Sequence, residues 1–243
     1  MCGRYAFFRT IDEVRRLFGT ANAPPNMQPT WNMAPTRLAP VVRLHPTDAT
    51  RQLDLLRWGL VPHWAKDPKA VRQPINARSE TAATAPMFRD ALVRRRCIVP
   101  VDAFYEWTVE NGAKIPHAVA RVDGQPMAAA GLWEGWRGAD GEVLRSYTIM
   151  TTRACAALSH LHERMPVILE PADWALWLGE VQDDFMPLLR PSAAEFRVWQ
   201  VSTAVNSVRN DGPELLIPTG TDGAPPTITS DAYSSGSVVN NSG

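Results

Sequence analysis

Cysteine, net charge and long apolar runs are all scarce in this sequence, and each scarcity excludes something. Only three of the 243 residues are cysteines, Cys2, Cys97 and Cys155. Their odd number and wide spacing rule out a disulfide framework and a C-x-x-C zinc or redox site. Reduced thiols are expected, with Cys97 among apolar strand residues and Cys155 among alanines as buried spectators. The 25 basic residues match the 25 acidic ones, for a formal net charge of zero. No global field therefore draws the molecule onto nucleic acid, and binding of that kind needs a local basic groove. Charge or proline interrupts every apolar stretch well before the roughly 18 residues of a membrane span, and no cationic, apolar leader opens the sequence. A soluble protein is expected, cytoplasmic or, in a nucleated cell, nuclear. His160 and His162, spaced to share one strand face, have no carboxylate or thiol cluster to complete a zinc set. Neither metal nor cofactor is expected.

Apolar residues make up 45% of the chain, enough to bury a core. Thr10 and Glu13 spell a capping box, and Gly19 suits the C-terminal end of a short helix. Residues 20–40, rich in Pro and Asn, read as a long ordered loop leading into a strand at 41–44, with a second strand at 53–58. Residues 86–95 read as a helix with Pro in its first turn and arginines at its end. Strands follow at 97–101, 103–109, 116–122, 127–136 and 143–151, punctuated by Asn111-Gly112, Asp123-Gly124 and Asp140-Gly141 turn signals. Short helices at 154–161 and 171–178 and strands at 167–169 and 196–201 complete the pattern. The fold class is α+β, a curled or barrel-like, mostly antiparallel β-sheet with peripheral short helices. Residues 1–218 read as a single domain and 219–243 as a flexible low-complexity tail.

Met1 precedes a small residue, Cys2, a context that normally permits removal of the initiator methionine. Its loss exposes an α-amine and a thiol on adjacent carbons. Such a 1,2-aminothiol condenses with an aldehyde to a Schiff base, which the thiol closes into a five-membered thiazolidine. Reference pKa values of about 8 for the amine and about 8.5 for the thiol leave useful fractions of both reactive forms at neutral pH. Gly3 lets the backbone approach a ligand closely, and Arg4 sets a fixed cation beside it.

Six motifs then occur in order: Met1-Cys2-Gly3-Arg4, Asn32-Met33-Ala34-Pro35-Thr36, Arg57-Trp58-Gly59-Leu60-Val61-Pro62, Ile75-Asn76-Ala77-Arg78-Ser79-Glu80-Thr81, Phe104-Tyr105-Glu106-Trp107 and His162-Glu163-Arg164-Met165-Pro166. The ordered set resembles the SOS-response-associated peptidase (SRAP) family, over residues 2 to about 218. The resemblance implies an α+β fold on a curled antiparallel sheet. It also implies a protein that senses abasic sites in single-stranded DNA and shields them through a thiazolidine crosslink to the N-terminal Cys2. The peptidase of the family name corresponds to self-processing that frees Cys2, and AP-lyase activity accompanies it. No cofactor, membrane or obligatory second copy is implied, so a monomer is expected, nucleoid-associated in a bacterium.

Carried over residue by residue, the resemblance places Asn76 at the Cys2 amine or the sugar hydroxyls, as an amide that both donates and accepts. Glu106, flanked by aromatics that favour a raised carboxyl pKa, shuttles protons at the amine and the opening sugar. His162 assists ring opening to the aldehyde and reversal of the crosslink, with Thr151 supporting it by hydrogen bonding. Arg4, Arg78 and Arg164 belong at phosphates flanking the lesion. Trp64, Pro40 and Met87-Phe88-Arg89 wedge or stack where a base is missing, and Asn206 and Arg209 are further DNA-binding candidates. His63 stands where another aromatic or a small residue is expected. The Arg94-Arg95-Arg96 run reads as a solvated helix cap rather than more DNA surface. Two other readings stay open. N-terminal-nucleophile glutamine amidotransferases also begin Met-Cys-Gly and release ammonia from glutamine; a non-catalytic single-strand binder, or a peptidase acting on proteins, forms no adduct with an abasic oligonucleotide.

Overall fold

The computed structural model describes residues 2–22 and 26–220. The expected loss of Met1 and almost all of the expected tail lie outside these residues. The chain runs β1 (Tyr5–Phe7), α1 (Ile11–Phe18), β2 (Thr30–Met33), β3 (Leu38–Leu44), β4 (Arg51–Trp58), β5 (Asn76–Arg78), α2 (Ser79–Ala82), α3 (Arg89–Arg94) and β6 (Arg96–Val101). It continues as β7 (Ala103–Glu110), β8 (Ala113–Arg121), β9 (Met127–Arg137), β10 (Val143–Arg153), β11 (Arg164–Pro166), β12 (Ile168–Leu169), α4 (Trp174–Leu178) and β13 (Phe196–Gln200). The capping box forms: the Thr10 hydroxyl accepts from Glu13 N at 3.2 Å, and the Glu13 carboxylate accepts from Thr10 N at 2.8 Å. Gly19 closes α1 in the left-handed region at φ 65°, where a side chain would be strained.

Strands β10, β4, β3, β6 and β9 pair in that order and β9 returns to β10, closing a ring that β5, β11 and β12 extend. This ring is the expected barrel-like sheet. Most of its pairs are antiparallel, but β10 runs parallel to both β4 and β5. A second, antiparallel sheet has the order β13-β8-β7-β1-β2. Alternation along β1 assigns its residues to two sides. Tyr5 and Phe7 join Phe104 and Val119 against the ring residues Val41, Leu53, Trp58, Ile98 and Tyr147. Ala6 joins Tyr105, Trp199, Val205 and Leu216 on the other side. The Tyr5 and Tyr147 hydroxyls meet at 2.7 Å between the two sheets, with Trp58 packed against both rings.

Several expectations are corrected. The stretch 20–40 is not all loop: β2 lies inside it, paired with β1, and β3 starts at Leu38. Helix 86–95 shrinks to α3: residues 86–88 form a turn closed by Phe88 N and Arg89 N donating to Ala85 O at 2.9 Å, and the N-cap Phe88 has no side-chain acceptor to offer. Residues 154–161 form turns rather than a helix. The β10–β11 register ends at Arg153↔Arg164, and Ala154 N donates to Glu163 O at 2.9 Å. Residues 154–163 reverse the chain through successive turns, with Leu158 N and Ser159 N both donating to Cys155 O and Leu161 N and His162 N to Leu158 O. His160 lies in these turns and His162 just before β11, so they share no strand. The stretch 171–178 opens as a 3-10 turn over Pro171–Asp173 before α4. Asn111 and Gly112 take φ 50° and 80° in a two-residue β7–β8 hairpin, as that dipeptide favours. Asp123-Gly124 instead carries the chain from one sheet to the other. Cys97 is buried, while Cys155 is half-buried.

Candidate active site and nucleic-acid groove

Cys2 is 1% exposed at the head of β1. Beyond Tyr5 the β1–β7 ladder continues, with Tyr105 N donating to Arg4 O at 3.0 Å. This brings the next β7 residue, Glu106, to the level of the N-terminal segment. Burial pushes the Cys2 thiol up, and the negative charge of Glu106 pushes it further, because both disfavour a thiolate. From the ring side β5 delivers Asn76, whose Nδ2 donates to Cys2 O at 2.8 Å. Asn76 Oδ1 is buried with no hydrogen-bond partner among the described residues. The buried thiol, the 5%-exposed Glu106 and the Asn76 amide thus sit on converging strands of two sheets.

The C-terminal end of β10 gathers the next group. Arg78 of β5 and Pro166 of β11 are both in register with Thr151. His162 Nδ1 accepts from Arg164 N at 2.9 Å, so a neutral ring carries its proton on Nε2, the other nitrogen. Thr151 is fully buried. Its hydroxyl lies 3.4 Å from Ala77 O and 3.3 Å from Arg164 Nη2. Its hydrogen bonds therefore reach His162 only through Arg164, not directly as expected. Arg164 itself corrects the expectation of a phosphate contact. It is 8% exposed, grips Glu80 with two bonds of 2.9 Å, and donates to Thr151 O at 2.6 Å. A fork already filled by a carboxylate has little left for a phosphate. This pairing holds the Glu80 carboxyl below its usual range.

Asn76 also lines a groove of about 580 Å³, together with Arg72, Pro74, Ile75, Arg78, Thr81, Met87 and Phe88. Arg72 and Arg78 are exposed. The expected Arg78, Met87 and Phe88 thus lie together, and Asn76 connects their groove to Cys2. Sequence reasoning missed Arg72, which carries no signal beyond its charge.

The remaining candidates lie apart from that lining. Pro40 is buried inside β3, opposite Leu55, and cannot wedge into DNA; the exposed part of its segment is Thr36–Leu38. Pro40 precedes the part of β3 that pairs with β6, where its missing N–H is tolerated. Trp64 is 50% exposed on a loop fastened on either side: Val61 N donates to Ser146 Oγ at 2.8 Å and Trp136 Nε1 to Ala65 O at 2.6 Å. His63, between them, approaches buried Glu134 at 3.3 Å. Arg4 Nη1 donates to Asn32 Oδ1 at 2.7 Å and Val205 O at 2.9 Å, and burial lowers its pKa. Asn32 is itself buried, its amide donating to Ser207 O and Asn210 O at 3.0 and 2.8 Å. It thus ties Arg4 to the segment bearing Asn206 and Arg209, both exposed, with Asn206 Oδ1 accepting from Trp107 Nε1 at 2.7 Å. In the Arg94–Arg96 run, Arg95 pairs with Glu134 at 2.7 Å, and Arg96 caps α3 through Leu92 O and Val93 O at 2.9 Å. Arg96 is thus the expected helix cap, but the run is not a solvated one throughout: Arg95 is tied to buried Glu134 and Arg96 lies 4.0 Å over the Phe185 ring.

Comparison with known proteins bears on this arrangement. Abasic site processing protein YoqW of Bacillus subtilis is 37% identical over 223 residues, covering 89% of this chain and 99% of that protein. Abasic site processing protein HMCES of Gallus gallus is 34% identical, covering 90% and 78%. A crystal structure of a Bordetella bronchiseptica protein superposes with a TM-score of 0.72 at 30% identity, over 83% of this chain and all of that one. A Bacteroides thetaiotaomicron structure at 21% identity, with a TM-score of 0.78 over 88% of this chain and 98% of that one, shares the fold. The model of the family described as SOS response associated peptidase (SRAP) matches residues 1–208. With this match over most of its length, and with Asn76 and Glu106 of two of the motifs brought to Cys2, the chain belongs to the SRAP family.

Proposed function

We propose that this protein processes abasic sites in single-stranded DNA by linking Cys2 covalently to the lesion's aldehyde once Met1 is removed. The observation that carries the reading is the position of Asn76, which lines the groove with one face and holds the Cys2 carbonyl at 2.8 Å with the other. A strand lying along Arg72 and Arg78 brings its gap to Cys2. In the ring-closed sugar His162 Nε2–H donates to O4′ as the C1′–O4′ bond breaks, and the proton of the C1′ hydroxyl returns to that nitrogen through water, leaving an aldehyde, a C4′ hydroxyl and a neutral His162. The Cys2 amine adds to C1′ and water leaves, giving a Schiff base. The thiol then adds to the same carbon, its proton passing to the nitrogen by way of Glu106, and the thiazolidine closes. Because burial keeps the thiol protonated, the amine attacks first. Asn76 Oδ1, an acceptor without a partner among the described residues, receives an N–H of that amine. Self-processing at Met1 and strand cleavage as an AP lyase use the same groups, with the domain bounded at 1–218.

The test is a denaturing gel after incubation with an oligonucleotide bearing one abasic site. A slow-migrating adduct is expected with the native protein and none with Cys2→Ala or with a form whose Met1 is retained. An adduct that survives either change overturns the thiazolidine. Glu106→Ala slows adduct formation and His162→Ala slows aldehyde formation and release; unchanged kinetics in both refute their roles.

A further inference from the structure

Glu106 is 5% exposed, yet the chemistry above loads and unloads a proton on it in each cycle. A carboxyl walled off from water exchanges protons slowly unless a second group connects it to solvent. The register of the second sheet supplies such a group. His117 of β8 is the cross-strand partner of Glu106, and on its other side it is the partner of Gln200 in β13. Directly opposed residues of antiparallel strands share a face, with Cβ atoms about 5 Å apart. One polar row therefore crosses the sheet from buried Glu106, through half-buried His117, to exposed Gln200 on the edge strand.

The imidazole is set in one tautomer. His117 Nδ1 lies 3.2 Å from Ile115 O, and a carbonyl only accepts, so Nδ1 is the protonated nitrogen and Nε2 keeps its lone pair. Glu110, on the same face of β7 four residues along from Glu106, and His160, from the turn after β10, are the charged and titratable groups felt at this ring. Burial, with His160 adding to it, lowers the His117 pKa, which leaves the ring neutral and able to accept a proton at neutral pH.

We propose that His117 is the proton outlet of Glu106, a positioning and relay residue that acts through the carboxyl and carries its proton between the buried site and solvent. In the forward step the proton that Glu106 takes from the protonated Cys2 amine, which must be neutral before it adds to the aldehyde, passes to His117 Nε2, and the imidazolium releases a proton to water; reversal runs the same path inward. The inference rests on the crosslinking reading, and the experiment separates the two.

Single-turnover adduct formation is measured in dilute buffer for the native protein, His117→Ala and the size-matched His117→Gln, with thermal melts to establish folding. Native rates should be independent of buffer concentration. Both variants should be slower by about tenfold or more, below the full range of a direct acid–base group, and added imidazole should restore His117→Ala. A native-like rate for both variants in dilute buffer overturns the relay, as does a slow, folded His117→Ala that ignores imidazole. If the native protein itself forms no adduct, the crosslinking reading falls and the relay falls with it.

Discussion

Replacing Tyr5 by Phe removes one hydroxyl and strands another. The Tyr5 and Tyr147 side chains are 0% exposed, and their 2.7 Å bond bridges the two sheets. Water does not reach either oxygen to compensate. An unsatisfied buried hydroxyl costs about 1–3 kcal/mol, so Tyr5→Phe and Tyr147→Phe should each cost about that much. In the double variant both polar groups are gone and the rings keep their packing on Trp58. Its cost should match that of one single substitution rather than the sum of two, a coupling of about 1–3 kcal/mol. In a domain of this size each 1 kcal/mol corresponds to about 2–4 °C in Tm. Urea titrations of the four proteins, followed by circular dichroism at neutral pH, measure the cycle. Costs that simply add, with a coupling below about 0.5 kcal/mol, would refute the idea that the hydroxyls act as a closed pair.

Glu106→Gln should have opposite effects on two readouts. Removing the carboxylate charge lowers the Cys2 thiol pKa, so alkylation of the N-terminal peptide, quantified by mass spectrometry, should set in at lower pH, while adduct formation slows; a shift to higher pH contradicts the electrostatic assignment. Burial raises the thiols of Cys2 and Cys97 and the phenols of Tyr5, Tyr105 and Tyr147. A raised pKa means the fold retains protons that the unfolded chain loses. Stability should therefore be intact below a pH of about 8.5 and decline above it, by up to about 1.4 kcal/mol per pH unit for each thiol, with the phenols joining above about pH 10. Urea midpoints across that range test this, and a flat profile refutes it. Arg72→Ala and Arg78→Ala should each flatten the salt dependence of single-strand binding by about 0.7 in log–log slope, as read by fluorescence anisotropy, whereas Arg164→Ala should lower Tm and leave that slope unchanged.

Local chemistry was legible where it is self-contained. The Thr10–Glu13 box, the Gly19 stop and the Asn111-Gly112 hairpin each complete their own hydrogen bonds within a few residues. What depends on distant partners was not. Asp123-Gly124 carries the same turn signal as Asn111-Gly112 but joins two sheets, because the destination of the next strand is decided by where β9 finds β6 and β10. Strand β2 escaped notice because its partner lies at the N-terminus. Motif likeness brought Cys2, Asn76 and Glu106 together but misjudged Pro40 and Arg164. A residue's type says that it can stack or bind phosphate, and only burial and existing partners say whether it is free to do so. His117 escaped for the opposite reason: nothing marks it in the sequence, and only strand register places it beside Glu106.

The anchored loop around Trp64 has an optical consequence. Of the nine tryptophans, Trp64 is the single exposed one; the others are buried or half-buried. A collisional quencher such as acrylamide reaches that indole first, and the backbone bonds at Val61 and Ala65 keep its surroundings uniform. The unmodified protein thus carries a built-in, single-site reporter, and any nucleic acid that covers this corner of the ring should announce itself as protection of one fluorophore.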